Sequence, residues 1–116
     1  MRQGFSRRAL ALAIGAAPFI AVPSVAQPAA APAAAEIVID NFAFAPTNLT
    51  VAAGTRIVWI NRDEEPHTIM SADKAVPFKS PALDTGDRFS FVFNRAGTYK
   101  YFCTIHSHMV GLIVVK

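Results

Sequence analysis

The sequence predicts an all-β domain, a β-sandwich or Greek-key barrel, on three observations. Short apolar stretches alternate with period two, Gly, Pro, Asn and Asp punctuate them, and no segment keeps a helical period. About seven to eight strands fit into about eighty residues, the density of an antiparallel-rich sandwich.

The elements follow in order from Glu36. "EIVIDNFAF" alternates as a strand, and "PTNLT" with "VAAG" gives a turn, a short strand and a further turn at Gly54. "TRIVWIN" is an apolar strand that carries Trp59 into the core. "HTIMS" is a short strand with Met70 on the core side, and "RFSFVFN" puts Phe89, Phe91 and Phe93 on one face. "AGTYKYFC" and "GLIVVK" supply the last two. The stretch 71–87 is the least regular and admits a loop, a broken strand or one helical turn.

Ahead of the domain lie two segments of different character. Arg2, Arg7 and Arg8 precede an Ala-rich apolar run broken by Gly15 and Pro18, and "SVA" precedes Gln27, so 1–26 reads as a secretory signal peptide. Its "SRRAL" partly resembles a twin-arginine signal. The run is shorter than a membrane span needs, which leaves no stable membrane insertion after its removal. Residues 27–35, "QPAAAPAAA", form an Ala/Pro-rich flexible segment, and the domain occupies 36–116.

Export to the periplasm is the expected destination. The formal net charge of +3 lies in the leader, because without its three arginines eight Lys/Arg face eight Asp/Glu. No nucleic-acid footprint remains in the domain. One cysteine excludes an internal disulfide, and a lone thiol in an oxidising compartment needs shielding by burial or by a metal.

That cysteine lies in "YFCTIHSHM". Cys103, His106 and Met109 are spaced so that one compact loop returns three side chains toward a common point, and His67 in "NRDEEPHTI" offers a fourth. Singly, each has a plain structural use: a small buried hydrophobe, a loop histidine, core filling, a turn cap. Jointly, a thiolate, two imidazoles and a thioether are the ligand set of a blue-copper electron-transfer site. A structural zinc would leave the thioether idle. His108 reads as a solvated loop side chain, and Asp63 to Glu65 as a solvated turn.

The segments "IVWINRDEEPHTI" and "NRAGTYKYFCTIHSHMVGLIVVK" resemble the cupredoxins, and the short Cys-to-His-to-Met loop is most similar to their amicyanin branch. The resemblance implies a cupredoxin-like Greek-key β-sandwich with one copper ion at one end. It implies His67, Cys103 and His106 as the trigonal ligands and Met109 as the weak axial one.

Amicyanins usually have prolines where this chain has Ile105 and Ser107, and often an Asn where it has Thr68. Thr68 and Thr104 are placed to hydrogen-bond each other across the site. The resemblance further implies an apolar patch around His106, formed by Ile105, Pro66 and Phe44, and a loop histidine that raises the reduction potential when it protonates.

The expected function is a small monomeric blue copper protein that passes single electrons between transient partners: a dehydrogenase, a cytochrome or an oxidase. A copper storage or delivery protein would use the same ligands, although beyond Met70 and His108 the chain has none of the extra Met or His residues such carriers often display. An enzyme is not expected. Copper oxidases and nitrite reductases of related fold need a second centre, and after His67, His106 and His108 no histidine remains to build one.

Overall fold

The computed structural model describes Gly4, residues 15–24 and residues 33–116. Most of the expected leader, and of the Ala/Pro-rich segment after it, lies outside the described residues. Residues 15–24 carry no regular structure, and Phe19, Ile20 and Val22 there are exposed. No helix among the described residues is long and apolar enough to cross a membrane.

Eight strands form two four-stranded sheets: β1 (Ala34–Asp40), β2 (Ala43–Ala45), β3 (Asn48–Val51), β4 (Thr55–Asn61), β5 (Met70–Ser71), β6 (Arg88–Phe93), β7 (Gly97–Phe102) and β8 (Val110–Val115). One sheet has the order β2-β1-β4-β6 and the other β3-β8-β7-β5. The all-β sandwich is thus as expected. Two pairs are parallel, β1 with β4 and β3 with β8. Period-two alternation is blind to strand direction, so the pairing could not be read in advance.

The alternation places the core. Ile37 and Ile39 of β1, Ile57 and Trp59 of β4, Tyr101 of β7 and Ile113 of β8 turn inward and are fully or almost fully buried. Trp59 meets Tyr101 edge to face with ring centroids 5.5 Å apart, and Tyr101 meets Phe44 in the same way at 4.7 Å. Each such side chain contributes about 1.5–3 kcal/mol of burial. Phe93 is buried with them, whereas Phe89 and Phe91 pack against the core only in part.

Gly111 stands opposite Tyr101 in the β7–β8 ladder. A Cβ at Gly111 would overlap the Tyr101 ring, so only glycine lets that phenol lie across the strand.

Three expectations need correction. The stretch from Glu36 to Phe44 is two strands folded on each other, with Asp40 paired to Ala43 across a two-residue turn. Both turn residues have positive φ, Asn41 at 50° and Phe42 at 56°. Asn tolerates that region, but for Phe it costs about 1–2 kcal/mol, which alternation alone gives no reason to expect.

β1 also begins at Ala34, because Ala34 and Ala35 continue the ladder opposite Arg56 and Ile57 and Ala35 packs on the core. Only Met70 and Ser71 of "HTIMS" form a strand, while His67 makes an isolated bridge to Leu83. The irregular stretch 71–87 is a broken strand bridged at Lys79 and Leu83, with Phe78 and Leu83 plugged into the core.

Candidate metal centre

Three segments meet at one end of the sandwich: the β1–β2 turn, the β4–β5 connection and the β7–β8 loop. Each is built by local hydrogen bonds. The β7–β8 loop closes on itself, with Cys103 N–H donating to the Met109 carbonyl at 3.1 Å and Met109 N–H to the His106 carbonyl at 2.9 Å. Seven residues of loop therefore sit between paired strands, and Cys103 and Met109 are both buried at its ends.

Asn61 builds the second segment. Fully buried at the end of β4, its amide donates to the Glu65 and Leu83 carbonyls, each at 2.8 Å, and its Oδ1 accepts the Asp63 N–H at 2.9 Å. Leu83 in turn exchanges two backbone bonds with His67, at 3.1 and 2.7 Å. One satisfied amide thus fixes the path of the chain into His67.

The sequence-predicted residues converge. Cys103 Sγ lies 3.9 Å from His67 Nδ1 and 4.0 Å from His106 Nδ1. All three ligand atoms lie within 4.8 Å of one another, and His67 and Cys103 are wholly buried while His106 is partly so. Atoms bound at about 2.0–2.3 Å to one ion stand roughly 3.5–4 Å apart, so the spacing suits a metal. Met109 closes the same loop. His108 stays on the surface, its ring 6.4 Å from that of His106.

Protonation is set by the surroundings. His67 Nε2–H donates to Asp63 Oδ2 at 2.8 Å, and an ionised carboxylate only accepts, so the proton stays on Nε2 and the Nδ1 lone pair faces the cluster. Burial pushes the Cys103 thiol up, but hydrogen bonds from the Thr68 and His106 backbone N–H groups and from the Thr68 hydroxyl outweigh it and bring it down to about 6. The thiolate is therefore the resting form near neutrality. Soft sulfur beside imidazole nitrogen is a donor set that fits copper in both oxidation states.

Thr68 and Thr104 are bonded as expected. Thr68 N–H donates to Cys103 Sγ at 3.4 Å, the two hydroxyls lie 2.8 Å apart, and Thr104 N–H donates to Thr68 Oγ1 at 2.7 Å.

Two expectations fail. Phe44 is buried in the core against Tyr101, so it does not ring His106; Phe42, on the strained turn, lies with its centroid 5.0 Å from that of His106 instead. Nor is Asp63 a solvated turn residue, since His67 and the N–H groups of Asn41 and Phe42 all bond to it. The four-residue interval from Asp63 to His67 was the available signal, a carboxylate one turn from a candidate ligand. Glu64 and Glu65 are exposed as expected.

A two-sheet sandwich with a thiolate and two imidazoles at one end defines a single-site β metalloprotein. A family model described as "Cupredoxin-like domain" matches residues 10–115. The chain is similar to amicyanin-alpha of Methylorubrum extorquens, at 33% identity over 94% of this chain and 99% of that protein.

Among solved structures it is similar to a purple cupredoxin from Nitrosopumilus maritimus, with a TM-score of 0.66 and 40% identity over 71% of this chain and 99% of that one. It is also similar to a variant amicyanin in its Cu(I) form, with a TM-score of 0.69 and 31% identity over 74% of this chain and 85% of that one.

The chain belongs to the cupredoxin-like family and within it is amicyanin-like. Amicyanins are one-copper electron carriers and not enzymes.

Proposed function

We propose that the protein is a small periplasmic blue copper protein that shuttles single electrons between partner proteins, and that His67, Cys103, His106 and Met109 hold its copper. The observation that carries this reading is the placement of two imidazole Nδ1 atoms 3.9 and 4.0 Å from one buried sulfur. A bound copper ion supplies a reversible one-electron couple, with Cu(I) suited to thiolate and thioether and Cu(II) to imidazole.

The chain's own residues supply the rest. The closed β7–β8 loop and the Asn61 network hold the donors on strand ends, so that little needs to rearrange when the charge of the site changes. Burial of Cys103 keeps oxidants from the thiolate. His106 is partly exposed beside Ile105 and Phe42, and that apolar rim suits brief encounters of low area with a dehydrogenase, cytochrome or oxidase. Export rests on the composition of 1–26, removed as a signal peptide, with the Ala/Pro-rich residues between it and Ala34 as a tether to the domain.

Anaerobic titration of the chain from Gln27 onward with Cu(II), followed by visible absorption and electron paramagnetic resonance, tests the reading. An intense thiolate-to-copper band at one equivalent is expected, bleached reversibly by reductant and absent in Cys103→Ser. Binding without that band would overturn electron transfer in favour of copper storage or delivery.

A further inference from the structure

Asp63 spends both carboxylate oxygens on groups from two different segments. Oδ1 accepts the Asn41 N–H at 2.9 Å, and Oδ2 accepts the Phe42 N–H at 2.9 Å and the His67 Nε2–H at 2.8 Å. The first two donors belong to the β1–β2 turn, the third to the candidate ligand. Asp63 itself is only 13% exposed.

The turn it grips is the one with two residues at positive φ. A turn of that hand favours Gly in its second place, yet Phe42 stands there. Its ring lies edge-on to both imidazoles, with centroids 5.5 Å from His67 and 5.0 Å from His106 at interplanar angles of 87° and 83°. A backbone conformation unfavourable for Phe persists only when its surroundings fix it, and here the two N–H bonds to Asp63 do so.

We propose that Asp63 is the positioning residue of the centre: one carboxylate sets the proton and orientation of His67 and pins Phe42 as a cover across the two imidazoles. The same group thus couples the geometry of the site to the surface through which it meets solvent and partners. The clamp is a property of the metal-free chain, and only its effect on the reduction potential rests on the copper reading above.

Nuclear magnetic resonance on the metal-free full chain tests the clamp. The wild type should show protected Asn41 and Phe42 amides and cross-relaxation between the Phe42 ring and the rings of His67 and His106. Asp63→Asn keeps the shape but offers one accepting oxygen, so at least one of the two amides should exchange about tenfold faster and the Phe42 contacts should weaken. In the copper-loaded protein the same change should raise the reduction potential, because a negative charge that favours the oxidised state is lost.

Unchanged exchange and ring contacts in Asp63→Asn would overturn the proposal. If that variant does not fold, the wild type decides: unprotected turn amides or absent ring contacts overturn it, and their presence supports it. Failure of the wild type to develop the blue band would refute the electron-transfer reading alone and leave the clamp to be judged by these resonances.

Discussion

Thr104 donates its backbone N–H to the Thr68 hydroxyl at 2.7 Å, tying the residue after Cys103 to the residue after His67. The Thr68 hydroxyl lies 3.7 Å from Cys103 Sγ as well, and its own N–H reaches that sulfur at 3.4 Å. The sulfur and two loop segments therefore share one small polar side chain.

Thr68→Val, which keeps the branched shape and removes the hydroxyl, should cost about 1 kcal/mol of stability and lower the reduction potential of the copper-loaded protein. Fewer hydrogen bonds to the thiolate leave more charge on sulfur, which favours the oxidised metal. Voltammetry and chemical denaturation measure both effects. A potential equal to that of the wild type would show that the hydroxyl does not act on the sulfur.

The Cys103 thiol, brought from 9.0 to about 6 by its hydrogen bonds, makes the metal-free protein pH-sensitive. A thiol that ionises more readily folded than unfolded adds stability that is complete above pH 9.0 and lost as pH falls through about 6. Urea midpoints of the metal-free protein should therefore climb across this window. Cys103→Ser should flatten the climb; an equal slope in the variant would assign it to another group.

Ile105 is 48% exposed beside His106. Ile105→Glu should slow electron exchange with a physiological partner while leaving the copper absorption spectrum intact, because the side chain belongs to the apolar rim and not to the donor set. Stopped-flow exchange rates matching the wild type would place the docking surface elsewhere.

Gly111→Ala drives a methyl into the Tyr101 ring on the facing strand. The ring is 1% exposed and packed between Trp59 and Phe44, so it has nowhere to move cheaply. A loss of about 1–3 kcal/mol is expected, read as a lower denaturation midpoint at unchanged slope. A loss below that range would mean that the ring shifts freely.

What the sequence determined by itself was whatever local chemistry and periodicity encode. Alternation placed Phe89, Phe91 and Phe93 of "RFSFVFN" on one face, because successive side chains of a strand point to opposite sides. The spacing of Cys103, His106 and Met109 needed no partner to be suggestive, since one short loop carries all three. The Thr68–Thr104 bond was legible once those two ligand segments were set side by side.

The tertiary structure alone decided what depends on distant segments meeting. That Phe42 rather than Phe44 faces His106 follows from a hairpin whose strained turn is held by Asp63, 21 residues further along the chain. The role of Asp63 follows in the same way, for a carboxylate in an acidic turn reads as solvated until the groups that claim its oxygens arrive from elsewhere. Parallel pairing of β1 with β4 and of β3 with β8 was equally invisible, because the inward faces are the same whichever way a neighbouring strand runs.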